Sequence, residues 1–383
     1  MENRGISEKR IYAASMLLAV ACVLLSFALW NEYEWYELIA PYGTLISFVF
    51  LCFIFLCCVP AADAVKDPEL YLVLAGAVIA AVNLFIVGSG KGAWLTATDV
   101  LLVIYLADKV RLSKPFVLFM CVHTGFYFYY WTFDVKGYFK GYNTNYGGLV
   151  LITGFVFALT FIIMFERSLN RTEKSGTWFL RIFAVFMFAW GLNIIAWYRA
   201  RCALLGLIVY ALLLIIPSKI WRNRVFYMLV TLSMTAGAVA ISLLYVFAGG
   251  YIEKLGIRIF YKDIISGRNL IWQDLWSAFL KRPLTGIGSS YRINIDWMNG
   301  MFEVHNGLLD ILIVHGVIVF AITLFLLIKR LLALRERAAG SIVARSATAA
   351  VFAILAASFM ENFFIVPPFL LYVLVLIAIA RSV

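Results

Sequence analysis

The sequence predicts an all-α polytopic membrane protein of about twelve transmembrane helices, and three observations carry that prediction. Of its 383 residues, 64% are hydrophobic and only 14% charged. The mean hydropathy is +0.94, far more apolar than a water-soluble domain can be while keeping a wettable surface. Apolar stretches of about 17 to 25 residues recur from one end to the other, each long enough to cross roughly 30 Å of hydrocarbon as a helix. The 32 Lys and Arg residues gather mostly in alternate connections, the distribution expected when those connections stay in the cytoplasm.

The spans are read at 11–30, 39–59, 70–87, 93–107, 115–131, 146–165, 178–197, 202–216, 225–247, 304–328, 342–360 and 364–380. The first follows the basic residues Arg4, Lys9 and Arg10 and runs into Asn31 and Glu32, with no small-residue cleavage site. It reads as a retained helix and not as a signal peptide. The fourth carries Thr96, Thr98 and Asp99, and the eighth starts directly after Arg199 and Arg201, so either could be a tilted or broken helix. Counting from a cytoplasmic N-terminus, twelve crossings return the C-terminus to the cytoplasm. The chain thus divides into an N-terminal membrane bundle of about nine spans at 1–247, an extracytoplasmic loop at 248–303, and about three C-terminal spans at 304–383. The net charge of +11 follows from the loop bias, and no nucleic-acid partner is implied. Cys22, Cys52, Cys57, Cys58, Cys121 and Cys202 lie in or beside apolar helices without CxxC or Cys/His spacing. Neither a disulfide framework nor a zinc site is indicated.

The 248–303 loop breaks the pattern of tight connections, and a connection of that length is usually functional. Within it Ser266 can cap an amphipathic helix over about 267–281, with Ile271, Trp272, Leu275, Trp276, Phe279 and Leu280 on one side. This helix is expected along the membrane interface, stopped by Pro283 and the Gly286-Ile287-Gly288 turn. No internal repeat or low-complexity segment is visible.

Three kinds of residue here could carry chemistry. Arg199 and Arg201 lie at the outer junction of the seventh and eighth spans, where the charge bias disfavours cations. Guanidinium groups there suit bidentate contacts to a diphosphate headgroup, or else snorkel to lipid phosphates. Arg268 opens the loop helix, where the free amides of a first turn favour an anion over a cation; a bound phosphate or a solvated arginine both fit. His305, with Asn306, stands where the loop enters the tenth span, and can act as a general base for a water-soluble acceptor or as a capping residue. His123 and His315 read as packing residues. Glu253, Asp263, Asp274, Asp296, Glu303 and Glu361 compete for the base role without forming a pair. No DxD-like metal motif and no Gly-Lys-Ser/Thr loop is present, so neither a metal nor a nucleotide cofactor is expected. Tyr127, Tyr129, Tyr130, Trp131 and Trp297 could stack on sugars or line the interfacial belt.

Taken together, Gly267-Arg268-Asn269-Leu270-Ile271-Trp272, Arg282-Pro283-Leu284-Thr285-Gly286-Ile287-Gly288, and His305-Asn306-Gly307-Leu308-Leu309 with Gly316 beyond resemble the signature of the O-antigen ligase and O-antigen polymerase superfamily. These are bacterial membrane glycosyltransferases of the C type. Ala200-Arg201-Cys202-Ala203-Leu204-Leu205 is similar to a further element of the family, with alanine where serine is usual; Asn143-Thr144-Asn145 is similar to an Asn-Pro-Asn element that here lacks its proline. The resemblance implies a cofactor-free, metal-independent transfer of glycan from undecaprenyl diphosphate to a glycan acceptor, on the outer face of the cytoplasmic (inner) membrane. It implies that Arg201 and Arg268 hold the departing diphosphate and that His305 activates the acceptor. Arg199, Asn306, Trp272, Asn145 and Arg282 are further candidates for substrate binding. Membrane lipids, and a regulator of chain length, are partners it allows. Repeat-unit polymerisation for an O-antigen, capsule or exopolysaccharide is the favoured reading, ligation of finished polymer to a lipid, protein or wall acceptor the second. A lipid-linked oligosaccharide flippase is the alternative of another class, disfavoured because the informative cations lie outside the spans.

Overall fold

The computed structural model describes residues 7–26, 34–134, 144–168, 178–260, 262–295 and 304–382. Arg4, Asn31, Glu32, Asn143, Asp296, Trp297 and Glu303 lie outside the described residues, as do the side chains of Tyr127, Tyr129, Tyr130 and Trp131. Helices follow one another along the chain as α1 (Glu8–Ser26), α2 (Glu34–Ile39), α3 (Gly43–Cys58), α4 (Ala61–Ala64), α5 (Pro68–Val87), α6 (Lys91–Leu106), α7 (Lys114–Asp134), α8 (Thr144–Ser168), α9 (Trp178–Tyr198), α10 (Arg201–Ile215), α11 (Ser218–Arg222), α12 (Arg224–Met234) and α13 (Ala236–Lys254). A two-residue antiparallel ribbon, β1 (Arg258–Ile259) with β2 (Lys262–Asp263), precedes α14 (Arg268–Phe279). Then come α15 (Gly307–Leu332), α16 (Arg335–Gly340), α17 (Ile342–Ala357) and α18 (Pro367–Ser382). Among the described residues seven helices are long and apolar enough to cross a membrane, and four shorter apolar helices, α10, α12, α17 and α18, accompany them. The chain is an all-α, multi-pass membrane protein.

Burial orders the bundle. Every residue from Val343 to Ala357 in α17 and from Pro368 to Ala380 in α18 is buried, as expected of helices that are apolar all round. Alanines at 344, 347, 349, 350, 353, 356 and 357 let α10 and α8 approach α17 closely. At the periphery α5 and α9 expose Val78, Phe85, Ile86, Ile182, Phe183 and Phe186, a surface that only acyl chains solvate well. The bundle end away from α14 is tied by ion pairs: Glu69 takes Lys329 and Arg330, Asp108 takes Arg330 and Arg381, and Asp67 takes Lys109 at 2.8 Å.

Several elements differ from expectation. The helix expected at 225–247 is two helices, because Thr235 leaves helical geometry (φ −111°, ψ −82°) while its hydroxyl bonds back to the carbonyl of Thr231 at 2.7 Å. Its second part continues to Lys254, so the long connection begins at 255 and not at 248. The fourth and eighth segments, α6 and α10, are continuous. Ser266 does not cap α14. Gly267, left-handed at φ 76°, occupies that position, and the Ser266 hydroxyl donates to the carbonyl of Asp263 at 2.7 Å. The apolar side expected to meet lipid instead turns Ile271, Trp272, Leu275 and Phe279 onto Tyr245, Leu309 and Ile313 of α13 and α15. Leu280 falls outside that face and is 70% exposed.

Helix α15 is broken at Gly316 (φ 83°, ψ 172°), and the break explains the Pro-x-x-Gly-x-Gly stretch. The freed carbonyls of Ile313 and Val314 accept from the amides of Ile287 (2.8 Å) and Gly288 (3.2 Å), and the amide of Val317 donates to the carbonyl of Pro283 at 2.9 Å. The carbonyl of His315 accepts from the Asn83 amide at 2.9 Å. The 283–288 segment thus repays the hydrogen bonds that a broken helix forfeits in an apolar setting. A Cβ at Gly316 would stand 2.1 Å from the carbonyl oxygen of Leu284, and one at Gly286 2.4 Å from that of Val314. Gly316→Ala is therefore expected to cost on the order of 3 kcal/mol or more, from left-handed strain plus a backbone clash. Thermal unfolding of the detergent-solubilised protein measures it, and wild-type stability would refute the interlock.

Candidate active site

One end of the bundle gathers four distant segments around a carboxylate. Arg201 is the first residue of α10, delivered by a tight reversal in which Arg199 takes a left-handed backbone (φ 53°). Its guanidinium donates to the carbonyl of Asp263 and, at 2.7 Å, to the Ser266 hydroxyl. The Asp263 carboxylate accepts from the amide of Ile265 at 2.8 Å, shaping the turn that presents Arg268 at the start of α14. Arg268, 7% exposed, donates from Nη2 to the Met360 carbonyl and to Glu361 Oε1, both at 2.8 Å. Its buried Nε has no hydrogen-bond partner among the described residues.

Glu361 is the hub. It lies between α17 and a 3-10 turn at Phe363–Ile365, with 3% of its surface exposed. Oε1 also accepts from Asn145 Nδ2 at 2.7 Å, and Oε2 lies 3.2 Å from His305 Nδ1. Burial alone would raise the pKa of this carboxyl, but the hydrogen bond with His305, the charges of Arg268 and His305 and the Asn145 amide outweigh it and hold the group below its ordinary value of 4.5. A depressed folded-state value stabilises the fold above the unfolded pKa and loses that contribution as pH falls through the folded one. Thermal stability should therefore decline on acidification below about pH 4.5, and Glu361→Gln should flatten part of that decline. An unaltered acid profile would show that Glu361 does not carry it.

His305 sits left-handed (φ 55°), a strained state for a residue with a Cβ. Bonds on both sides hold it there. Trp272 Nε1 donates to the Val304 carbonyl at 2.7 Å, and the amide of Asn306 donates to Asn362 Oδ1 at 2.8 Å. Asn306 caps α15 by accepting from Leu309 N at 3.0 Å and donates to the Ala238 carbonyl at 2.8 Å.

Arg201 and Arg268 together line a cavity of about 350 Å³ whose other walls include Leu205, Ile241, Leu244, Tyr245 and Ile264. Burial and then the neighbouring Arg268 charge pull Arg201 below the ordinary arginine pKa, the electrostatic mark of two guanidinium groups in one place. An apolar cavity with two cations at its rim accommodates an amphiphile with an anionic head.

Arg201, Arg268, His305 and Asn145 are thus brought together. Others are not. Arg199 is exposed and lies outside the residues lining the cavity. Arg282 belongs to a separate surface pocket with Asp274, Lys281 and Tyr291. Trp272 and Asn306, expected to bind substrate, are each 0% exposed and leave no surface for one; they frame His305 instead. Of the competing carboxylates, Asp274 is engaged by the Tyr291 hydroxyl (3.0 Å) and the Asn294 amide (3.2 Å). Glu361 was foreseen only as a rival base, and its signal was a lone carboxylate in the short link between the last two spans. Among the described residues no group of three or more His, Cys, Asp or Glu is placed to hold a metal ion.

The family described as O-antigen ligase matches residues 186–324. Residues 186–324 thus match the superfamily that the motifs of the long loop resemble. That ligase-family segment runs from α9 into α15 and contains Arg201, Arg268 and His305, whereas Asn145 and Glu361 close the site from outside it. No curated protein and no solved structure matches the chain. Glycosyl transfer of the O-antigen ligase and polymerase type is the chemistry of such a domain, and the match lends nothing to a flippase.

Proposed function

We propose that this protein polymerises undecaprenyl-diphosphate-linked oligosaccharide repeat units into a surface polysaccharide on the outer face of the bacterial cytoplasmic membrane. In this reading twelve crossings put both termini in the cytoplasm and the Arg201–Arg268–His305 end outside. The observation that carries it is the pairing of two guanidinium groups at the rim of an apolar cavity, with a histidine joined to one of them through a single carboxylate. Arg201 and Arg268 hold the donor diphosphate while the lipid chain runs along apolar walls. The acceptor hydroxyl gives its proton to His305 as its oxygen bonds to the anomeric carbon. The bond from that carbon to the phosphate oxygen breaks with its electron pair, and lipid diphosphate leaves with the configuration inverted. Charge grows on the diphosphate as the bond breaks, so fixed cations stabilise the transition state more than the ground state. No nucleotide, metal or cofactor enters this scheme.

The family description favours a second reading, ligation of finished polymer to a different acceptor, which the same site would catalyse. Deleting the gene in its host and sizing surface glycan and lipid-linked precursors on one gel separates the two. Collapse of the ladder to a single repeat supports polymerisation. Full-length polymer stranded on undecaprenyl diphosphate supports ligation, and repeats accumulating on the cytoplasmic leaflet would refute both.

A further inference from the structure

We propose that Glu361 is the positioning residue of the His305 base, one buried carboxylate that fixes the imidazole with one oxygen and the donor-binding Arg268 with the other. This rests on the glycosyl-transfer reading above. His305 Nδ1 stands 3.2 Å from Oε2, Arg268 Nη2 stands 2.8 Å from Oε1, and Asn145 Nδ2 holds Oε1 at 2.7 Å. Since a carboxylate only accepts, Nδ1 must carry the hydrogen, which leaves the lone pair on Nε2 as the proton acceptor. The backbone of Glu361 is itself fixed: its carbonyl accepts from the Ser358 hydroxyl at 3.2 Å, and the Ser358 carbonyl accepts from the amide of Gly307 at 3.1 Å. The hub is therefore anchored to the helix that His305 opens.

The consequence for the reaction is one of charge. When the acceptor hydroxyl passes its proton to Nε2, the imidazolium forms beside a negative group already in place, and after transfer it returns the proton to water. Among the described residues, the charged and titratable groups around this pair include Arg268 of α14, Arg201 and Cys202 of α10, Tyr245 of α13 and, beyond Arg201, Asp263. Two of them are cations, Arg201 and Arg268. Glu361 offsets them, and it does so without occupying Arg268 fully, since Nε of that guanidinium is left without a partner among the described residues.

Two measurements test this on the full-length protein. Glu361→Gln keeps the shape and removes the charge. In vesicles supplied with a synthetic polyprenyl-diphosphate-linked repeat, kcat should fall about 10²-fold or more, with donor KM within about threefold of wild type. The acid-side fall of the rate should move about one pH unit lower, and Glu361→Asp should recover at least part of the rate. A kcat within threefold of wild type, or an acid limb that stays put, would overturn the proposal. So would a loss confined to donor KM, which is what a purely structural anchor for Arg268 predicts. The chain has only three histidines, so ¹⁵N-histidine NMR of the wild-type protein reads the tautomer directly and needs no folded variant; an Nε2–H tautomer at His305 would also overturn it. Activity retained by His305→Ala would instead sink the base assignment on which this inference rests.

Discussion

Replacing Arg268 by alanine is expected to lower turnover by about three orders of magnitude or more, because it removes a preorganised cation from the place where diphosphate charge develops, a loss of about 4 kcal/mol in comparable sites. The same change strands the Glu361 carboxylate at 3% exposure, and breaking a buried ion pair costs about 3–5 kcal/mol of stability. The two effects are separable. In the double variant Arg268→Ala/Glu361→Gln the unpaired charge is gone, so thermal stability should recover while turnover stays low. Arg268→Lys is not a conservative change here, since one ammonium cannot span Met360 O, Glu361 Oε1 and a phosphate as a planar fork does. Kinetics on the lipid-linked donor, run beside melting curves, decide the matter. Near-wild-type turnover in the lysine variant would contradict bidentate recognition.

The second large effect lies at His305. His305→Ala should lower kcat by about 10²–10⁴-fold, the range for losing a general base. Its left-handed backbone gives the site a further signature. On a Glu361→Gln background, where no buried carboxylate loses its imidazole partner, His305→Gly removes the base and also the strain at φ 55°, so it should be as stable as that parent or more so, by up to about 1 kcal/mol, while inactive. A gain in stability accompanying loss of activity is what a residue held in strain for function produces. If the glycine variant were instead destabilised, the side chain would be serving the fold.

The long apolar segments and the sequence GRNLIW announced the bundle and Arg268, because hydropathy and a short motif are local properties. What the sequence left hidden depended on distance along the chain. Trp272 reads as a substrate-binding candidate until its indole is seen donating to Val304, 32 residues away. Glu361 reads as one more carboxylate competing for the base role, since its partners Asn145, Arg268 and His305 come from three other segments and only packing unites them. Gly286 and Gly316 looked like a turn and a helix glycine; each is required by the other's backbone. The break at Thr235 was invisible for the opposite reason, because the apolar run continues across it and hydropathy does not register a change of backbone direction. Ser266 was a plausible cap by composition, and lost that role to Gly267 once its hydroxyl was drawn into the turn that binds Arg201.

Whether this site forms a glycosidic bond from a lipid-diphosphate donor is decided by reconstitution. Purified protein in lipid vesicles, given only a synthetic undecaprenyl-diphosphate-linked repeat unit and no nucleotide sugar, is analysed by mass spectrometry. Products of two or more repeats are expected, with one undecaprenyl diphosphate released for each new bond. Repeat units that remain monomeric in the presence of folded protein and a range of glycan acceptors would contradict that expectation.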